Sequence, residues 1–110
     1  LTTDTSIITA LGNDYSFEVI FSRQCESLVQ KNDIVVAIST SGKSKNIIKA
    51  VKISKKKGAK IITFIGENIK PLDKYSDIVL NVPSKSTPHI QEVHRILMHI
   101  ICELVEEKFV

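Results

Sequence analysis

The sequence predicts an α/β protein, a three-layer sandwich built on a parallel sheet. Three short apolar runs follow one another along the chain, and none shows the alternation of a half-exposed strand: Ile34–Ile38, Lys60–Ile65 and Ile78–Val82. Such runs are typical of parallel strands that helices cover on both faces. Helical patterns separate them, and this alternation indicates right-handed crossovers in one sheet. We therefore expect ligands to bind at the carboxyl ends of the strands, where Asn13, residues 39–44 and residues 84–87 are expected to gather.

The first thirty residues predict one helix. Residues 1–13 are rich in Thr and Ser, which favours a strand end, a loop and at most one helical turn. From Asp14 to about Gln30, apolar residues recur at spacings of three and four, which predicts an amphipathic helix. Asn13 or Asp14 is a suitable N-cap for it.

The rest of the chain predicts two further helices. The first covers residues 44–57, and Gly58 ends it as the residue after the C-cap. A loop over residues 66–75 follows the second strand, and a polar loop over residues 84–88 follows the third. The last helix runs from residue 89 to about residue 108.

Composition excludes several classes of protein. The 110 residues are 43% hydrophobic and 25% charged, which is ordinary for one globular domain. No apolar run approaches the ~20 residues of a membrane helix, so no membrane partner is expected. Aromatic residues make up only 5%, which leaves no evident platform for stacking bases. The lysines at positions 52, 55, 56 and 57 complement a helix C-terminus and do not indicate a nucleic-acid patch.

The two cysteines indicate a reducing compartment. Cys25 and Cys102 lie far apart in predicted helices, and no Cys-x-x-Cys pair exists. We expect buried, reduced thiols and a cytoplasmic protein.

The segment Ser39–Ser44 joins the first strand to the next helix. It nearly matches the Walker A loop, but Ala37 stands where the first glycine belongs, and no Walker-B-like Asp follows a later strand. The hydroxyls of Ser39, Ser41 and Ser44 lie beside a helix N-terminus, an arrangement that suits a phosphate monoester. A Ser/Thr-rich turn that only caps the helix is equally compatible with this composition.

The terminal helix is unusually apolar. On a helical wheel, Gln91 and His99 share a polar arc of ~120° with four charged residues, and apolar residues occupy most of the remainder. One sheet face cannot cover so wide an apolar arc, so we predict an oligomer formed through this helix. His89, His94 and His99 point in different directions and cannot all bind one metal. His94 is predicted to be a packed core residue, whereas His99 is either a ligand or proton-transfer group or an ordinary polar-face histidine.

Several phrases carry a resemblance to a known family. The chain resembles the sugar isomerase (SIS) domain and, within it, the bacterial phosphoheptose isomerases. The phrases are Thr2–Ser6, Gly12–Tyr15, Phe21–Gln24, Ile38–Gly42, Val82–Ser84 and Ile90–His94, with His99 and Glu103 beyond.

The resemblance implies an activity and a site. The activity is conversion of sedoheptulose 7-phosphate to D-glycero-D-manno-heptose 7-phosphate for bacterial surface polysaccharides, by a flavodoxin-like homotetramer that contains zinc. The implied phosphate-binding residues are Ser39, Thr40, Ser41 and Ser44. The implied sugar contacts are Asn13, Asp14 and Gln91, and the implied zinc ligands are Gln91 and His99, with His99 also suited to proton transfer.

Comparison with the family's pattern sets the expected extent of the chain. We expect residues 1–110 to be the C-terminal part of a single SIS domain. The N-terminal helices, the first strand, the glycine-rich loop and the remaining metal ligands, including a catalytic glutamate, then lie outside it. Lys43 and His89 replace an asparagine and an arginine that are common in the family, and residues 65–70 replace a loop richer in glycine.

Two other functions remain open. One is a non-catalytic adaptor, as in the SIS branch that binds the replication initiator protein. That branch lacks the histidine at position 99 and changes position 41, so this chain favours the enzyme. The other is a sensor that binds a sugar phosphate and leaves it unchanged.

Overall fold

A parallel sheet of three strands in the order β1-β2-β3 forms the centre of the molecule in the computed structural model, which describes residues 1–110. The elements are α1 (Thr5–Asp14), a 3₁₀ helix (Phe17–Val19), α2 (Ile20–Leu28), β1 (Ile34–Ser39), α3 (Lys45–Lys56), β2 (Lys60–Ile65), a second 3₁₀ helix (Asp73–Tyr75), β3 (Ile78–Asn81) and α4 (Thr87–Glu106).

The strand register brings the three carboxyl ends together. Ser39, the last residue of β1, is paired with Ile65, the last residue of β2, and Ile65 is paired in turn with Asn81, the last residue of β3. The loops that follow the strands therefore leave the sheet at one common edge, as the sequence predicts.

The core lies between one face of the sheet and helices α2 and α3. Cys25 of α2, Val51 of α3 and Ile61 of β2 are all buried in one cluster there. Leu72, in the loop after β2, closes the same cluster.

Helix α4 packs on the other face and makes the third layer. The His94 ring meets the Phe64 ring edge to face at 5.6 Å between centroids. The Nε2 atom of His94 lies 3.2 Å from the carbonyl oxygen of Ile65. The prediction of a packed, hydrogen-bonded histidine is confirmed, and so is the α/β class.

Strand β1 corrects one expectation. Ile34, Val36 and Ile38 are 66%, 51% and 45% exposed, so one face of the strand is open along its whole length. The prediction of cover on both faces is wrong for this chain, because α4 packs only beside the end of β2. A strand without alternation in its sequence therefore shows strong alternation in its burial.

The N-terminal segment corrects another. Residues predicted to be mainly loop form α1, which spans 10 residues and begins at Asp4, whose side chain accepts a hydrogen bond from the N–H of Ile7. The hydroxyl of Thr9 donates to the carbonyls of Thr5 and Ser6, so the helix itself satisfies this Thr side chain. Asn13 and Asp14 consequently end α1 and are not the N-cap of the next helix.

The cysteines give a mixed outcome. Cys25 is buried as predicted, whereas Cys102 is exposed, and both are free thiols. Cys102 lies in the second half of α4, where no residue is buried. None of the helices combines the length and hydrophobicity needed to cross a bilayer.

Candidate functional site

The hydroxyl-rich loop is organised around a buried serine. Ser39 is 5% exposed, and its Oγ donates to the Oγ of Ser44 over 3.2 Å while accepting from the N–H of Gly42 over 3.2 Å. Ser44 is the N-cap residue of α3, but its hydroxyl makes no capping hydrogen bond. The N–H of Ile47 donates to the side-chain oxygen of Asn46 over 2.8 Å, so among the first N–H groups of α3 only those of Lys45 and Asn46 lack a protein partner.

Two glycines let the loops after β1 and β2 touch. Gly42 has φ +68°, and a Cβ there would lie 2.2 Å from the carbonyl oxygen of Asn68. A Cβ on Gly66 would lie 2.4 Å from the carbonyl oxygen of Thr40. The side-chain amide of Asn68 also donates to the carbonyl of Ser41 over 3.4 Å. Only residues without a side chain allow this approach of backbone to backbone.

A polar cavity of about 300 Å³ lies where these loops meet the loop after β3. This volume is at the lower end of the usual range for small-ligand sites, about 300–1,000 Å³. A single hydrophobic residue, Ile90, lines it. The full lining is Thr40, Ser41, Lys43, Glu67, Asn68, Ser84, Lys85, Thr87 and Ile90.

Two helices begin beside this cavity. Lys43 precedes the N-cap of α3, and Thr87 is the first residue of α4, whose N-cap is Ser86. Helix N-termini carry unsatisfied N–H groups and a partial positive charge. Together with four hydroxyl side chains, they make the cavity a site for an anion that accepts many hydrogen bonds.

Asn13 and Asp14 lie outside this cavity. Both are exposed at the end of α1, where the Asn13 amide donates to the Asp14 carboxylate over 2.9 Å. The 3₁₀ helix that follows ties them to α3, because Glu18 pairs with Lys49 at 2.8 Å and with Lys45 at 3.0 Å. Hydrogen bonds from Lys49 and then Lys45 hold the pKa of Glu18 below its usual range.

Gln91 and His99 lie on α4, both exposed. Eight residues separate them, so their backbones are about 12 Å apart along the axis and ~80° apart around it. Gln91 follows Ile90, which lines the cavity, whereas His99 lies two turns further away. No group of three or more His, Cys, Asp or Glu side chains is placed to hold a metal ion.

Residues 1–110 therefore do not form a zinc site by themselves. Zinc takes four ligands, three or four of them from protein. Gln91 and His99 are a partial set of one amide and one imidazole, and no third donor accompanies them in the structure.

Sequence reasoning missed part of the cavity. It grouped Asn13 with residues 39–44 and 84–87, whereas the cavity excludes Asn13 and includes Glu67 and Asn68. The signal was available, because both residues lie in the loop after β2 and the carboxyl ends of parallel strands share an edge. Neither Ser39 nor Ser44 lines the cavity; the hydroxyl of Ser39 donates to that of Ser44 and accepts from the N–H of Gly42.

The fold and this cavity define an α/β protein with a hydroxyl-rich cavity at the carboxyl edge of a parallel sheet. The model of the SIS domain matches residues 12–100, and the chain belongs to the SIS domain family.

Comparison with individual proteins shows which members of the family the chain is similar to. The chain is 46% identical to a phosphoheptose isomerase from a Nitratiruptor species over 99% of its own length and 58% of the relative. It is 50% identical to one from Sulfurimonas denitrificans over 98% of its length and 55% of the relative. Its structure superposes on a phosphoheptose isomerase from Neisseria gonorrhoeae with a TM-score of 0.91 at 41% identity, covering 94% of this chain and 59% of that one. The chain thus spans somewhat more than half the length of these relatives.

Proposed function

We propose that the protein that contains this chain is a phosphoheptose isomerase, which converts sedoheptulose 7-phosphate to D-glycero-D-manno-heptose 7-phosphate. The observation that carries the proposal is the polar cavity beside the N-termini of α3 and α4. Likeness to phosphoheptose isomerases over 98–99% of the chain supports the choice of substrate. In this proposal residues 1–110 are the C-terminal part of a single SIS domain.

The phosphate group is held by hydroxyls and N–H groups. We assign direct contacts to Thr40, Ser41 and Ser44, with Ser84 and Thr87 on the opposite loop. A hydrogen bond to a charged group contributes about 1.5–3 kcal/mol, so a few of them suffice for a phosphate monoester. Ser39 holds the loop in shape through Ser44 and Gly42.

The reacting carbons lie at the other end of the sugar. In a 7-phosphate of a seven-carbon ketose, the carbonyl at C2 is remote from the phosphate. Gln91 follows Ile90 on the wall of the phosphate cavity, and His99 lies about 12 Å further along α4. We therefore propose that the sugar extends along α4 towards His99, whose imidazole moves a proton between the oxygens or carbons of an enediol. Asn13 and Asp14 remain proposed sugar contacts.

Zinc, tetramer formation and a cytoplasmic location complete the proposal. Gln91 and His99 are the two zinc ligands this chain would contribute. Because a complete site needs further donors, no reaction step is assigned to the metal. The exposed apolar side chains of α4 support assembly through this helix into a homotetramer. The two cysteines are free thiols, which supports a cytoplasmic location.

Turnover by the intact protein tests the function. Purified protein with zinc and sedoheptulose 7-phosphate is expected to form the aldose 7-phosphate, followed by NMR. Ser41→Ala is expected to raise KM about tenfold, because it removes one hydrogen bond to a charged group. His99→Gln is expected to lower kcat by about 10²–10⁴-fold. Ser27→Ala, an exposed position on α2, is the matched control and keeps wild-type kinetics.

Each alternative predicts a different result. Absence of any aldose product overturns the isomerase. Tight binding of the sugar phosphate without turnover supports the sensor. Capture of the replication initiator protein, again without turnover, supports the adaptor.

A further inference from the structure

Three charged residues line the polar cavity described above, and together they are called its charged rim. Lys43 comes from the loop after β1, Lys85 from the loop after β3 and Glu67 from the loop after β2. The remainder of the lining is neutral. Two cations and one carboxylate leave a formal excess of one positive charge at a site otherwise built from hydroxyls.

Lys85 is held only loosely by Glu67. The Nζ of Lys85 lies 4.0 Å from the Oε2 of Glu67, and the two side chains are 89% and 54% exposed. An exposed pair at this distance contributes little to folding. Both residues line the cavity, so the pair lies where a ligand would meet it.

Lys43 has no carboxylate partner. None of the seven ion pairs in the structure includes it. The neighbouring cations of α3 differ in this respect, because Glu18 pairs with both Lys45 and Lys49. Two lysines of α3 thus share one carboxylate, whereas the lysine that lines the cavity has none.

We propose that Lys43 and Lys85 are specificity-determining residues that select a doubly charged phosphate group, with Glu67 limiting the strength of that selection. This inference rests on the proposed function and concerns the same cavity. A phosphate monoester has a second pKa of about 6, so it is a dianion at neutral pH. Its two charges exceed the single charge of the Glu67 carboxylate, and Lys85 exchanges one partner for the other when the ligand binds.

Salt and charge variants separate this role from a structural one. In the intact protein, Lys43→Gln and Lys85→Gln are each expected to raise KM for sedoheptulose 7-phosphate about two- to fivefold at low salt, the range of exposed charge pairs. Both effects diminish as NaCl screens the charges, and the double variant shows the weakest dependence of KM on salt. Glu67→Gln is expected to lower KM. Lys56→Gln, at the far end of α3, is the control with the same charge change.

A direct binding measurement tests the proposed role of the lysines separately from the proposed isomerase activity. Calorimetric titration with sedoheptulose 7-phosphate is carried out on the same variants. Weaker binding by Lys43→Gln and Lys85→Gln supports the proposed role of these lysines even if the wild type forms no product. If the double variant keeps the wild-type KM and affinity at every salt concentration, the proposed role of the two lysines is overturned, even if turnover is normal. Equal weakening by Lys56→Gln also overturns it, because net charge alone would then explain the effect.

Discussion

The Nε2 of His94 lies 3.2 Å from the carbonyl oxygen of Ile65, and that oxygen also accepts a hydrogen bond from the N–H of Val82 at 2.9 Å. One acceptor thus joins α4, β2 and the segment after β3 at the edge where the cavity lies. The other ring nitrogen of His94, Nδ1, has no partner although the residue is buried. The ring therefore acts mainly by filling space against Phe64.

This arrangement predicts that volume matters more than the hydrogen bond at position 94. His94→Ala is expected to lower the free energy of unfolding by about 3 kcal/mol, because it leaves a cavity. His94→Leu nearly conserves the volume and leaves Ile65 bonded to Val82, so it is expected to cost less than about 1.5 kcal/mol. Urea denaturation measures both. Equal losses in the two variants would show that the hydrogen bond dominates.

Replacement of Gly42 and of Gly12 by alanine is predicted to change the stability in opposite directions. Gly42→Ala places a Cβ at φ +68° and against the carbonyl of Asn68, so it is expected to destabilise by more than about 2 kcal/mol and to weaken phosphate binding. Gly12 lies within α1 with nothing within 4 Å of an added Cβ. Gly12→Ala is expected to stabilise by about 0.5–1 kcal/mol. Denaturation midpoints of both variants test the pair, and stabilisation by Gly42→Ala would contradict the proposed loop contact.

We predict that the contacts of Asp77, just before β3, are sensitive to acid. Its carboxylate accepts from the ammonium of Lys55 and from the N–H of Ile61, each at 2.8 Å. These two contacts, Lys55 first, hold the pKa of Asp77 below its usual range. The stabilisation is therefore complete above the unfolded value of about 3.9 and is lost as the pH falls through the lower folded value.

The test is the dependence of unfolding free energy on pH. Below about pH 4, wild-type stability is expected to fall more steeply with acidification than that of Asp77→Asn, which has no proton to take up. Lys55→Gln keeps the carboxylate but removes its first partner, so its slope is expected to lie between the two. Superimposable profiles for wild type and Asp77→Asn would refute the assignment.

The exposed apolar side of α4 predicts that assembly depends on it. Ile96 and Leu104 are exposed in this chain although large and apolar. Lysine at either position places an unpaired charge in the proposed interface, so Ile96→Lys and Leu104→Lys are expected to reduce the mass of the intact protein in solution. Leu28→Lys, an equally exposed position on α2, is the control. Light scattering after size exclusion measures the mass, and an unchanged oligomer in the α4 variants would remove this helix from the interface.

The sequence by itself determined the order and type of most elements. The apolar run of β1, the glycine after α3 and the 3.6-residue periodicity of α4 are local signals, because side-chain direction repeats within each element. It also located Ser41, Ser84 and Thr87 at one sheet edge, since that follows from parallel topology alone. Helix α1 escaped prediction because Thr and Ser favour caps and turns over helix interiors, whereas here the hydroxyl of Thr9 bonds to carbonyls of its own helix.

Tertiary structure alone decided which neighbours the hydroxyls have. Asn68 and Glu67 reach the cavity because Gly42 and Gly66 let two loops touch, and that contact joins residues more than twenty positions apart in sequence. The burial of Ser39, the exposure of Ile38 and the loose hold of Glu67 on Lys85 likewise depend on which surfaces pack together. Periodicity indicates the side of an element that is apolar, whereas only the packed chain determines what covers that side.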